Sequence, residues 1–279
     1  MGHSNFSKIL LGLDGSSYAE AAIEYACQIA LNHNATITGV AIIDEPGIQS
    51  SSGPVPIGGT HYDVKLEDQL LEETQAEAKA ILDSFARICD ERKINAILHT
   101  DIGSPVSELI EESKFHDFIV IGKQTSFEYD ANETYGTLER VLKNGLIPVL
   151  AVSDSVREIK NVLVAYDNSI PASKAVHMFL LLGIWGACDI TLLTVNNDAA
   201  SAQELLGNLG GFFESYGIKP TLVTRSGHPD TVVKSYIAEN DIDMLVMGAY
   251  GRRSVREFFV GSVTYHLIHE TEIPLFLYH

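Results

Sequence analysis

Glycines at 248, 251 and 261, with Ser262 directly after the last, give the spacing Gly-x2-Gly-x9-Gly-Ser in a chain of 279 residues. Glycine has no Cβ, so these positions allow the backbone to approach a bulky anion closely. Ser262 and Val263 begin a run with helical spacing that continues to His269. The free N–H groups and the dipole of a helix start favour negative charge. The chemistry indicated is phosphate binding. Arg252, Arg253 and Arg256 lie inside the segment, where they either face solvent or screen phosphate charge. Asp167 ends the apolar run Asn161-Val-Leu-Val-Ala-Tyr-Asp167. It is a candidate to hold a metal on the phosphates, or alternatively to cap the helix that follows.

The elements that position these residues occur twice. Lys8-Ile-Leu-Leu-Gly-Leu-Asp14 matches the run ending at Asp167, and Asp117-Phe-Ile-Val-Ile-Gly122 matches Asp243-Met-Leu-Val-Met-Gly248. Ile147-Pro-Val-Leu-Ala-Val152 likewise matches Ile273-Pro-Leu-Phe-Leu277. Short apolar runs of this kind predict buried strands. Between them, apolar residues three or four apart predict helices with one buried face, as at Ala19, Ala22, Ile23 and Ala26 or at Leu205, Leu206, Leu209 and Phe213. Gly103-Ser-Pro105 and Gly227-His-Pro229 place a proline where its missing N–H costs nothing, so each predicts a helix start. Alternating strands and helices imply parallel sheets covered by helices. Two domains follow, 1–153 and 158–279, each α/β and Rossmann-like. The first carries an insertion near 44–64, rich in Gly, Pro and Ser, that predicts a long loop. In such sheets ligands sit beyond the carboxyl ends of the strands, where strand order reverses. Asp167, Gly227 and Gly248 all fall at such ends.

The formal net charge is −18, with a pI near 4.8. Nucleic acid and anionic membrane surfaces are therefore disfavoured as partners. No apolar stretch is long enough for a membrane span, and the first residues lack the build of a signal peptide. The cysteines, Cys27, Cys89 and Cys188, are scattered, suggesting neither a zinc knuckle nor a disulfide framework and fitting a reducing cytoplasm. His266 and His269 share a helix face without an evident third ligand, and they read as solvated or packed residues. His99, His116 and His228 read as turn or surface residues. Trp185, Phe212 and Phe213 read as core.

Strand-Asp, Gly-x-Pro and the glycine segment, in this order, resemble the universal stress protein family in a tandem form, over nearly the whole chain. The resemblance implies a cytoplasmic α/β fold with a five-stranded parallel sheet per copy, of the adenine-nucleotide α-hydrolase-like type, and an ATP-binding branch marked by the glycine segment. It assigns Ala165, Tyr166 and Asp167 to the adenine, ribose and metal side, and Val195 to an apolar contact with adenine. Met247, Gly248, Gly251, Arg252, Gly261, Ser262 and Val263 fall to the phosphate and ribose side. ATP with magnesium or manganese is the implied ligand. The last strands of the two copies are expected to pair as an intramolecular pseudo-dimer, with a further homodimer open.

The first copy reads Gly122-Lys-Gln-Thr125, followed later by Gly136-Thr137. Thr125 replaces the second glycine and the spacing grows by one. Glu128, Asp130 and Glu133 stand where the second copy has arginines, and unit charges about 4 Å apart repel by on the order of 1 kcal/mol even in water. One nucleotide per chain is expected, with a weakened first site as the alternative because Asp14 is retained. An adenylate-transferring enzyme would carry a Ser-Gly-Gly-x-Asp-Ser loop after the first strand. This chain has Leu13-Asp-Gly-Ser-Ser17 and Asp167-Asn-Ser169 instead, and no nucleophile–base pair is visible. A non-enzymatic nucleotide-dependent stress or signalling module is the expectation, with slow ATP hydrolysis or a nucleotide-free adaptor as alternatives.

Overall fold

The computed structural model describes residues 6–51, 60–125, 127, 136–184, 186–250 and 262–279, with backbone alone at 50–51, 60–67 and 262. Contacts divide the chain into two compact units, Phe6–Ile147 and Pro148–His279.

The first unit runs β1 (Lys8–Leu13), α1 (Ser17–His33), β2 (Thr36–Ile43), α2 (Glu45–Ser51), α3 (Thr60–Arg92), β3 (Ala96–Ile102), α4 (Pro105–Ser113), β4 (Phe118–Gly122) and α5 (Thr137–Asn144). Its strands pair in parallel in the order β3-β2-β1-β4. The second unit runs β5 (Val149–Val152), β6 (Asn161–Ala165), α6 (Ile170–Leu182), β7 (Asp189–Val195), α7 (Ala199–Ser215), β8 (Thr221–Arg225), α8 (Pro229–Glu239), β9 (Met244–Gly248), α9 (Ser262–Glu270) and β10 (Leu275–Tyr278). Its order is β5-β10-β9-β6-β7-β8, parallel from β10 onward. β5 pairs antiparallel with β10, Leu150 opposite Phe276.

The architecture is therefore α/β, as the alternation of runs implies, with five strands per sequence repeat, as the family resemblance implies. The compact units, however, divide at Ile147/Pro148, because the last strand of the first repeat packs with the second.

The central strands are apolar throughout because both faces are covered: Ile9, Leu10 and Leu11 in β1 and Val162, Leu163 and Val164 in β6 are fully buried. The repeated aspartates before β4 and β9 have one task. Asp117 Oδ2 accepts from Ser7 N–H and Lys8 N–H at 2.9 and 2.8 Å, and Asp243 Oδ2 accepts from Lys160 N–H and Asn161 N–H at 3.0 and 2.8 Å. Each carboxylate ties the start of the first strand of its repeat, satisfying amides that precede the ladder. Pro105 and Pro229 open α4 and α8 as expected.

The region 44–64 departs from the expected loop at 45–51 and again from Thr60, where α3 begins; both stretches are helical. Asp44 Oδ1 accepts from Gly47 N–H at 3.0 Å and Ile48 is buried, so a cap and one apolar anchor outweigh the local Gly and Pro content. Residues 52–59 and Trp185 lie outside the described residues. Phe213 is buried in the core, whereas Phe212 stacks at its edge between His177 and Tyr216.

Candidate nucleotide site at the strand ends of the second unit

From β6 the chain proceeds outward to β7 and β8, and then returns to place β9 on the other flank of β6. The strand order therefore reverses between β6 and β9, and that switch opens a crevice at the carboxyl ends. Ala165 ends β6 in register with Met247 of β9 and with Leu193 of β7. The structure thus brings Ala165, Tyr166 and Asp167, Val195, and Met247 and Gly248 to the ends of three neighbouring parallel strands. Ala165, Tyr166, Val195 and Gly248 are partly exposed and Asp167 is exposed. Val263 lies in the first turn of α9 and is partly exposed, and Ser262 opens that helix. Gly251, Arg252 and Gly261, with Arg253 and Arg256, lie outside the described residues.

Asp167 does not cap α6. The cap is Ser169, whose Oγ accepts from Ala172 N–H at 3.3 Å. Asp167 Oδ1 instead accepts from Ser169 N–H at 3.0 Å across Asn168, which holds φ 61°. Asparagine tolerates this left-handed conformation better than most residues. The first repeat builds the same turn: Asp14 Oδ1 accepts from Ser16 N–H at 3.0 Å across Gly15, and Ser16 caps α1. The turn holds one oxygen of the exposed Asp167 carboxylate. Behind it, Tyr166 Oη and Ser173 Oγ are 2.9 Å apart, and Ser173 Oγ also donates to Ser169 C=O at 3.0 Å.

Gly248 has a role that its spacing does not disclose. A Cβ there would stand 2.2 Å from Ala172 N, 2.5 Å from Pro171 C and 2.7 Å from Ala172 Cα. The close approach at this glycine is to the backbone of α6. Gly122 plays the same part against α1, where a Cβ would meet Tyr18 Cβ at 2.6 Å. Just beyond β9, Tyr250 holds φ 66° and its ring meets that of His279 edge to face at 4.8 Å. A left-handed non-glycine residue turns the chain sharply where the glycine segment begins. Burial, and then the nearby Lys174 charge, push the His279 imidazole below its ordinary range.

In the first unit, side chains stand close to the equivalent strand end and turn. Phe127 is buried, and its ring lies 3.2 Å from where a Cβ on Gly12 would stand. Ile81 Cδ1 lies 3.0 Å from the same point on Gly15. Ile43 and Lys123, near the ends of β2 and β4, are buried. The sequence carried no signal for this closure beyond the loss of the second glycine.

Among the histidines, His266 Nδ1 sits 3.1 Å from Asp230 Oδ2, and His269 stacks on Tyr265 at 4.4 Å. A grouping not expected from the sequence forms in the first unit, where His99, Asp101 and Glu112 converge. Among the described residues no helix is long and apolar enough to cross a membrane.

This two-copy α/β architecture with strand-end aspartates defines the class. The model of the universal stress protein family matches residues 5–153 and 212–279. The chain belongs to the universal stress protein family. It is 25% identical over 280 residues to a universal stress protein of Synechocystis sp., covering 96% of this chain and 98% of that one. A universal stress protein of Methanocaldococcus jannaschii is 28% identical over 161 residues, 56% of this chain and 88% of that one. A universal stress protein of Archaeoglobus fulgidus has a similar fold, with a TM-score of 0.73 at 21% identity, covering 99% of each chain.

Proposed function

We propose that the chain is a nucleotide-responsive stress or signalling module that holds one adenine nucleotide, ATP in the first instance, at the β6/β9 switch of the second unit. The observation that carries this reading is the convergence of Ala165–Asp167, Val195 and Met247–Gly248 on one partly exposed crevice, directly before the Gly-x2-Gly-x9-Gly-Ser segment. Tyr166 and Val195 supply apolar surface for a base. Asp167, with one oxygen held by its turn, is the residue proposed to share magnesium or manganese with the phosphates. Gly251, Arg252, Gly261, Ser262 and Val263 are proposed for the phosphate and ribose side on the strength of their spacing and the start of α9. Phe127 and Ile81 support a single site, because the ring and side chain fill the corresponding crevice of the first unit.

The pairing of β5 with β10 supports an intramolecular pseudo-dimer in which these final strands meet. The spacing of the cysteines in the sequence supports a reducing, cytoplasmic setting, although the fold brings Cys27 and Cys89 within hydrogen-bonding reach of each other. Ligand-set conformation, not turnover, is the proposed output.

Calorimetric titration of the full chain with ATP and magnesium tests the reading. The expected stoichiometry is one, lost in Gly251→Val and retained in Thr125→Val. Two equivalents per chain, or equal losses in both variants, would overturn the single-site assignment. No heat of binding and no thermal shift would establish the nucleotide-free adaptor instead.

A further inference from the structure

We propose that His99, Asp101 and Glu112 form a binding site for a divalent metal of the zinc class on the edge strand of the first unit. His99 and Asp101 are two apart on β3, so their side chains leave the same face, and Glu112 reaches them from α4. His99 Nε2 lies 2.9 Å from Asp101 Oδ1 and 3.7 Å from Glu112 Oε1, with all three ligand atoms within 4.8 Å of one another. Tetrahedral zinc with bonds of about 2.0–2.1 Å sets its ligand atoms about 3.3 Å apart. The cluster already brackets that spacing. One imidazole and two carboxylates form a borderline N/O donor set suited to zinc, and three protein ligands leave a fourth position for water or a further ligand.

Two further observations bear on cation binding here. Among the described residues Asp101 Oδ2 is buried with no hydrogen-bond partner, a state that costs free energy unless a positive group satisfies it. Lys114 pairs with Glu111 at 2.5 Å and so is engaged on a carboxylate outside the cluster. The frame is also braced. Gly103 N–H donates to Ile43 C=O at 3.0 Å between β3 and α4. His116 bridges Glu112 C=O at 2.7 Å and Thr38 Oγ1 at 2.8 Å, which fastens the end of α4 to β2.

The second repeat supplies an internal comparison. With Gly103 equivalent to Gly227 and Pro105 to Pro229, the positions of His99, Asp101 and Glu112 are taken by Val223, Arg225 and Tyr236. There the Arg225 guanidinium lies 5.8 Å from the Tyr236 ring centroid. The same scaffold carries a cation, Arg225, in the second unit and the carboxylates Asp101 and Glu112 in the first.

Zinc titration of the untagged full chain tests the assignment, with cobalt as a visible probe. One tight equivalent is expected, and cobalt in that site should show the absorption of a four-coordinate ion and be displaced by zinc. His99→Gln and Glu112→Gln should each weaken zinc binding on the order of 100-fold or more, since even removal of residues that only support a ligand costs about 10–100-fold. Asp101→Asn, the same shape without the charge, should do likewise with the far-UV spectrum unchanged, and His266→Gln should bind as the parent does. Absence of a tight equivalent would overturn the proposal, as would equal affinity in His99→Gln and His266→Gln. Either result would leave His99 and Asp101 as a hydrogen-bonded pair only.

Discussion

Replacing Gly248 with alanine separates a packing role from a ligand role at the residue that opens the glycine segment. The added Cβ would stand 2.2 Å from Ala172 N and 2.5 Å from Pro171 C, more than 1 Å inside normal contact. Both atoms are backbone in the capped first turn of α6, so no rotamer change relieves the clash. β9 cannot retreat either, being paired with β6 on one side and β10 on the other. Overpacking costs about 1–3 kcal/mol where side chains yield, and the rigid backbone places this case at the upper end, about 3 kcal/mol.

With a urea m-value of about 1.5–2 kcal/mol/M for a unit of this size, the midpoint should fall by about 1.5–2 M. The chain has a single tryptophan, Trp185, within Pro148–His279, so its fluorescence follows the second unit selectively. Gly211→Ala in α7 is the control: a Cβ there meets nothing within 4 Å, and helix propensity predicts a gain of about 0.5–1 kcal/mol. A Gly248→Ala midpoint within about 0.5 M of the parent would refute the reasoning, and loss of nucleotide binding without loss of stability would assign Gly248 to the ligand alone.

Two smaller perturbations follow from local geometry. Ser169→Ala removes the acceptor for Ala172 N–H and should cost about 1 kcal/mol, whereas Ser169→Asp should retain most of it; thermal denaturation followed by Trp185 fluorescence reads both. Glu24 Oε2 meets Arg92 Nη2 at 2.7 Å between α1 and α3, and that hydrogen bond holds the carboxyl below its ordinary range. A depressed carboxyl stabilises the fold above its unfolded pKa of about 4.3 and loses that contribution as pH falls through the folded value. Glu24→Gln should therefore lose under about 1 kcal/mol at pH 7 and show a shallower stability loss below pH about 4 in acid titration. An identical acid slope in variant and parent would refute the coupling.

Much of the fold was legible because its signals are local. The apolar runs ending at Asp14 and Asp167, and the prolines at 105 and 229, fix strands and helix starts from neighbours in sequence. What escaped depends on distant contacts. Gly248 was readable as a phosphate-approaching glycine, yet its tightest neighbour is a helix starting 78 residues earlier in the chain's own second repeat, at Ile170. The 45–51 segment has a loop's composition, yet it is a helix with a cap from Asp44 and a buried Ile48. Phe127 closing on Gly12 joins residues more than a hundred positions apart. The metal-type cluster left a faint trace, since His99 and Asp101 alternate on a strand before an acidic helix, but nothing local indicates that Glu112 rather than Glu111 or Glu108 would turn toward them.

The pairing of Val149–Val152 with Leu275–Tyr278 has a practical corollary for dissecting the chain. A fragment cut at the sequence repeat, after Ser153, would strip the antiparallel neighbour from a strand whose Leu275, Phe276 and Leu277 are fully buried. Its unpaired amides and carbonyls would then offer a template for another copy of itself. A fragment starting at Pro148 keeps its own cover. Recombinant halves made at these two cut points, only a few residues apart, should therefore differ in solubility and self-association far more than their lengths suggest.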